Sequence, residues 1–298
     1  MAIPQSQLDT WTHQGATATS SAAYNSIQHA LSKTGSPLEN RGVEIFLQGS
    51  YANATNIYAD SDIDVIVLYN NTFHWDPSRL TQAQQALHEQ VYPRASYPWT
   101  SLKADVLAAL RAHYGKGAVT PGNKAISVVT GGGKKPADVV PVVQYRSYTD
   151  FTNPHNPYAF WGVQFFDGTN RPIVNYPQYH RTNGEAKNSA ERTRGNYKET
   201  VRVFKNIRNC LIDRGLLHDG AAPSYFIECL LYNVPDVLFT SSTALRIPAI
   251  ITYLRSIART AMTCQNGVLP LFGSTSTQWN DVDCLTFLNA ANQLWNNW

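Results

Sequence analysis

The chain has 298 residues, 43% of them hydrophobic, with a formal net charge of +3. That content is ordinary for a globular protein and supplies a core for one large or two small lobes. The mild charge admits anionic small-molecule substrates without demanding a long nucleic acid. No run of 18 apolar residues occurs, and Met1-Ala2-Ile3-Pro4-Gln5 carries no leader pattern, so a soluble, cytoplasmic protein with no membrane partner is expected.

Residues 5–31 contain Leu8, Trp11, Ala16, Ala22, Ile27 and Leu31 at roughly helical intervals, interrupted only by Gly15, which predicts one long first helix. Residues 43–47 predict a strand that runs into the small-residue turn Gly49-Ser50. Eleven residues later, Asp62-Ile63-Asp64 opens Val65-Ile66-Val67-Leu68-Tyr69, a run apolar enough for a buried strand. Side chains alternate across a strand, so Asp62 and Asp64 point to the same side. Two close carboxylates repel, and burying both is costly without a cation. Oxygen-only donors suit Mg²⁺, which also takes waters and substrate phosphates. The pair therefore reads as a magnesium seat and Gly49-Ser50 as a phosphate cradle. The competing reading is a solvated Asx turn over Asp60, Ser61, Asp62 and Asp64.

Helices are expected at 80–91 and 101–114, and a short strand at 125–129. Gly131-Gly132-Gly133-Lys134-Lys135 lacks the first glycine and the Ser or Thr of a P-loop and reads as a turn. Asp138 then leads Val139-Val140-Pro141-Val142-Val143, another acid at the head of an apolar run. Two-metal transfer needs a third carboxylate on a neighbouring strand, and Asp138 is the candidate; taken singly it reads as a strand-end cap. Short strands at 161–166 and 171–176 are expected within a Pro-, Asn- and Tyr-rich stretch.

From about Glu185 the chain turns helical. Over 197–213, Tyr197, Val201, Phe204, Ile207 and Leu211 share one face, and Lys198, Arg202 and Lys205 an adjacent basic one. Further helices are expected at 224–232, at 242–262 with a break or kink at Pro248, and at 281–295. The scattered Cys210, Cys229, Cys264 and Cys284 form no zinc pattern and read as reduced thiols, mostly buried. The fold class is α/β (α+β): a catalytic lobe with a mixed sheet, residues 1–183 including the N-terminal helix, packed on a helical lobe, residues 184–298, that closes the nucleotide cleft.

Gly49-Ser50, the Asp62/Asp64 pair and the later Asp138 together resemble the polymerase-beta type of nucleotidyltransferase. More narrowly, the chain is similar to the bacterial cGAS/DncV-like nucleotidyltransferases, and within them to the clade E enzymes that make uridine-containing cyclic dinucleotides. The matching segments are collinear and span most of the chain: 5–8, 11–17, 47–67, 136–140, 174–177, 196–206 and 222–235. The resemblance implies two Mg²⁺ ions per site (or Mn²⁺) held by Asp62, Asp64 and Asp138, with Asp138 taking a proton from the attacking ribose hydroxyl.

It also places Lys205 and Ser224 on the donor triphosphate, Tyr225 under a base and Asn175 at a pyrimidine edge. Read from the residues themselves, Lys205 is a solvated helix lysine, Ser224 a plain N-cap, Tyr225 a core aromatic and Asn175 a bulge or turn residue before Pro177. An Asn amide does offer the paired donor and acceptor that a uracil edge needs. The implied substrates are NTPs, UTP favoured with ATP possible, and the implied product is c-di-UMP or cyclic UMP-AMP. That product would be a second messenger sensed by a downstream effector in anti-phage defence. Other readings are a template-free transferase acting on RNA ends or a small acceptor, and a nucleotide-binding pseudoenzyme sensor.

Overall fold

The computed structural model describes residues 3–58, 62–93, 95–275 and 277–298. The first half of the chain carries α1 (Gln5–Thr12), α2 (Ala18–Ser32), β1 (Val43–Gln48), α3 (Gly49–Ala52), β2 (Ile63–Asp76), α4 (Gln82–Val91), α5 (Trp99–Tyr114), β3 (Val119–Pro121), β4 (Ile126–Val128) and β5 (Ala137–Asp150). The second half carries β6 (Tyr158–Phe166), β7 (Pro172–Asn175), α6 (Pro177–Lys187), α7 (Asn196–Asp213), α8 (Ser224–Tyr232), α9 (Thr243–Ser256) and α10 (Asp281–Asn296). These elements gather into two compact units. A sheet unit comprises Thr17–Gln48 and Ser61–Pro177; a helical unit comprises Met1–Ala16, Gly49–Asp60 and Gln178–Trp298.

In the sheet unit the described strands form one mixed sheet in the order β1-β2-β5-β4-β3, with β6 pairing β5 and β7 pairing β6. β2 and β5 run parallel and the other pairs antiparallel. The β-branched runs that lead from Asp64 and Asp138 explain the two central strands. Ile63, Val65, Val67, Ala137, Val139, Ile126 and Val128 are buried. They share a face by alternation, and α2 and α5 pack against these strands with Ile27, Leu31, Leu102, Val106 and Leu110 buried. Burying each such side chain is worth roughly 1.5–3 kcal/mol. β2 runs further than the apolar stretch suggests, because an irregularity between Tyr69 and Phe73 lets the pairing with β5 resume beyond the polar Asn70-Asn71-Thr72.

In the helical unit the apolar face of α7 is buried as its periodicity predicts, with Tyr197, Val201, Phe204, Ile207 and Leu211 in a core shared with α8, α9 and α10. α8 spans the expected residues, and α9 contains Pro248 but ends at Ser256 rather than at 262. α6 begins at Pro177, ahead of the expected helical onset, with proline at a first-turn position that needs no N–H.

The single long first helix is corrected to α1 and α2, with a break over 13–17. Gly15 causes it. Its N donates to Asn56 O at 3.0 Å, and Asn56 Nδ2 donates back to Gly15 O at 3.2 Å. A Cβ on Gly15 would meet Ile57 O at 2.4 Å, so only glycine permits this approach. Segments 1–16 and 49–60, expected with the catalytic lobe, cluster instead with the C-terminal helices, because α7 reaches both. Arg202 donates to Thr12 O at 2.6 Å and Ala54 O at 2.7 Å, and Lys205 Nζ to Thr55 O at 3.0 Å.

All four cysteines are free thiols; Cys210 is half-buried and the others buried. Among the described residues, no helix is long and apolar enough to cross a membrane.

Candidate active site

Strand register assembles the acids of the sheet unit. Asp64 on β2 lies opposite Asp138 on the parallel β5. The same row continues to Gln48 on β1, Ser127 on β4 and Thr120 on β3. A polar row thus crosses five strands. It lies between two largely apolar rows, Ile63, Ala137, Val128 and Val119 on one side and Leu47, Val65, Val139 and Ile126 on the other. Alternation turns this row to the face away from α2 and α5. Ser127 Oγ donates to Asp138 Oδ1 at 2.6 Å, which fixes that carboxylate. Asp64 is half-buried, and Asp62 stands exposed just before β2.

The donor chemistry here fits a hard divalent cation: carboxylate oxygens only, on one face, with an open side. The in-register Asp64 and Asp138 carry that fit. Asp62 is not drawn into a tight trio with them, and among the described residues no three His, Cys, Asp or Glu side chains cluster closely enough to hold an ion. Asp60 and Ser61, named in the competing turn, lie outside the described residues.

Gly49 and Ser50 belong to the helical unit. β1 stops at Gln48 because Gly49 takes φ +69°, a left-handed conformation that favours glycine. One helical turn follows, closed by Asn53 N to Gly49 O at 3.1 Å and Thr55 N to Ser50 O at 2.9 Å. Asn53, Thr55, Asn56 and Ile57 are then buried, before the chain emerges at an exposed Tyr58. Ala54 sits at φ +54°, an uncommon conformation for alanine, with its carbonyl held by Arg202.

Lys205 departs most from the sequence reading. It is fully buried, not on a solvated basic face, and its Nζ pairs with Glu228 Oε1 at 3.1 Å as well as with Thr55 O. Glu228 is the residue that sequence reasoning missed. Its Oε1 accepts from Thr55 Oγ1 at 2.6 Å; its Oε2 accepts from Asn53 Nδ2 at 3.2 Å and meets His180 Nε2 at 3.0 Å. Burial pushes the Glu228 carboxyl up, but Lys205, His180 and Thr55 together outweigh it and hold the group at about 2. The available signal was a lone acid inside the apolar Phe226-Ile227-Glu228-Cys229-Leu230-Leu231.

Ser224 is the first residue of α8, after an N-cap supplied by Pro223, so it is not a plain N-cap. Its Oγ accepts from Arg208 Nη1 at 3.3 Å, and Arg208 also donates to Ala222 O at 3.2 Å. Arg208 thus sets a cation at this end of α8. The Tyr225 ring stacks on His180 at 5.0 Å and 22° and is 38% exposed, so it is no plain core aromatic. Its hydroxyl accepts from Asn266 Nδ2 at 3.2 Å, and burial raises it well above the usual phenol range. Asn175 ends β7, in register with Val163 of β6, and is half-buried in the sheet unit.

Residues 182–296 match the cGAS/DncV-like nucleotidyltransferase C-terminal helical domain. The cyclic UMP-AMP synthase of Rhodothermus marinus is 39% identical over 298 residues, which covers 100% of this chain and 99% of that protein. The chain belongs to the cGAS/DncV-like nucleotidyltransferases, in clade E. A second relative in this family, a cyclic nucleotide synthase of Staphylococcus haemolyticus, is 37% identical over 304 residues and 100% of each chain. The solved structure of the Rhodothermus marinus c-UMP-AMP synthase with Apcpp and Upnpp aligns at a TM-score of 0.88 and 38% identity, covering 99% of this chain and 97% of that one. The mixed α/β architecture with a helical C-terminal region is the one these nucleotidyltransferases share.

Proposed function

We propose that this nucleotidyltransferase joins two NTPs into a uridine-containing cyclic dinucleotide, cyclic UMP-AMP or c-di-UMP, and releases pyrophosphate. The in-register Asp64 and Asp138 carry the proposal, supported by full-length similarity to a cyclic UMP-AMP synthase. Asp62, Asp64 and Asp138 would hold two Mg²⁺ or Mn²⁺ ions, which supply charge neutralisation at the triphosphate and acidify a ribose hydroxyl.

The protein's own groups do the positioning. Ser50 and the turn amides that follow Gly49 cradle the β- and γ-phosphates. Ser224, with Arg208 beside it, meets the donor triphosphate. Asp138, oriented by Ser127, receives the proton of the attacking hydroxyl. That oxygen bonds to the α-phosphorus in line, the bond to the leaving pyrophosphate breaks, and a second round closes the ring. Tyr225 stacks on a base, and Asn175 reads a pyrimidine edge. Lys205, bound to Thr55 and Glu228, is the further triphosphate contact that the family likeness supports.

UTP is the favoured substrate, with ATP as the second. The family likeness further supports a signalling role: the product switches on a separate effector in the bacterial cytoplasm during phage infection. Purified protein incubated with labelled UTP and ATP plus Mg²⁺ or Mn²⁺, then with phosphatase, tests the reaction. A compact phosphatase-resistant product is expected. A nucleotide ladder, a modified acceptor or unreacted NTP overturns the proposal.

A further inference from the structure

Glu228 lies in α8 among buried Phe226, Ile227, Cys229, Leu230 and Leu231. A bare carboxylate there would be severely penalised. This one is saturated instead: Lys205 and Thr55 on Oε1, Asn53 and His180 on Oε2. Tyr197 also donates to the Glu228 backbone carbonyl at 2.9 Å. A buried ion pair is weak evidence for stability, because apolar side chains of similar volume usually stabilise as well or better. The return on such a cluster is geometric.

Its geometry converges on one segment. Asn53 and Thr55 directly follow the Gly49–Ala52 turn, and the Thr55 amide closes on Ser50 O. Lys205 takes the Thr55 carbonyl, so side chain and backbone of the same residue are both bound. A loop buried this deeply must pair its polar groups; Arg202 and Gly15 take Ala54 and Asn56, and one carboxylate with its ammonium partner takes Asn53 and Thr55.

We propose that Glu228, together with Lys205, is a positioning residue that sets the Gly49-Ser50 turn through Asn53 and Thr55. The proposal rests on the functional reading above for what the turn does, and on the hydrogen bonds alone for how the turn is held. Glu228 does this without touching substrate. A displacement of about 1 Å in a phosphate-binding group can cost on the order of a hundredfold in rate.

The test compares Thr55→Val, which removes the donor at nearly constant volume, with Thr55→Ser, which keeps it, and with Glu228→Gln. Two readouts are taken: amide hydrogen exchange across residues 49–58, and kcat and KM for UTP. Thr55→Val should speed exchange in that segment roughly tenfold and leave α9 and α10 at wild-type rates; Glu228→Gln should speed it at least as much, on top of a general rise from lost global stability. They should lower kcat about tenfold with a smaller change in KM, while Thr55→Ser stays within about twofold of wild type on both readouts. Unchanged exchange over 49–58 in Thr55→Val, or a rise shared equally by α9 and α10, overturns the proposal. A wild-type protein that releases no pyrophosphate contradicts the functional reading instead, and the exchange data still decide how the turn is held.

Discussion

The sheet unit and the helical unit use charge in opposite ways. In the sheet unit, strand pairing sets two like charges side by side, Asp64 and Asp138, with the exposed Asp62 just before them. In the helical unit, opposite charges find each other inside the fold, and Lys205 and Glu228 are buried as a pair. Like charges set side by side by backbone register repel, and a cation between them would relieve that. A buried pair of opposite sign needs none, and its consequence is local geometry.

The largest expected effect falls on the acids. Asp62→Asn with Asp64→Asn should cut pyrophosphate release by roughly a thousandfold or more, since metal charge stabilisation is worth several kcal/mol. Thermal unfolding should be unchanged or slightly raised, because the substitution relieves repulsion. Retained turnover would remove the metal role from this pair.

In the helical unit the order reverses, and stability suffers first. Lys205→Met should destabilise by about 3–5 kcal/mol in denaturant unfolding, because it strands a buried carboxylate. The double variant Lys205→Met with Glu228→Gln should recover a substantial part of that loss. Additive losses would show that the two side chains do not work as a pair.

Acid titration sharpens the same point. The Glu228 carboxyl is held at about 2 in the fold against an ordinary 4.5, so it binds its proton less readily when folded. Its contribution is complete above 4.5 and disappears as pH falls through about 2. The loss across that window is on the order of 3 kcal/mol, and Glu228→Gln should flatten this part of the unfolding profile. An identical slope in the variant would contradict the assignment.

The smallest effect concerns base choice. Asn175→Ser should lower pyrimidine incorporation against purine about tenfold, the value of roughly one base-edge hydrogen bond with its desolvation cost. Competition between UTP and ATP or GTP, read as product composition, checks it. An unchanged product ratio would take Asn175 out of the site.

Much of this was legible in the sequence, for local reasons. Asp64 and Asp138 each open a β-branched apolar run, so both strands and both acids could be placed. The apolar face of α7 and the limits of α8 follow from periodicity and from Pro223. What escaped depends on partners distant in the chain. Gly15 breaks the first helix because the loop through Asn56 and Ile57 packs on it. Lys205 looks solvated on a helical wheel until Glu228 and Thr55 appear beside it. The opposition of Asp64 and Asp138 is a fact of strand register, and a one-residue slip would have turned one of them to the other face.

The most direct test is a crystal of the protein grown with Mn²⁺ and a nonhydrolysable UTP analogue, with anomalous scattering used to find the metal. The account predicts manganese between Asp64 and Asp138, with Asp62 drawn in, while Glu228 stays on Thr55. Manganese elsewhere, or Glu228 parted from Thr55, would contradict it.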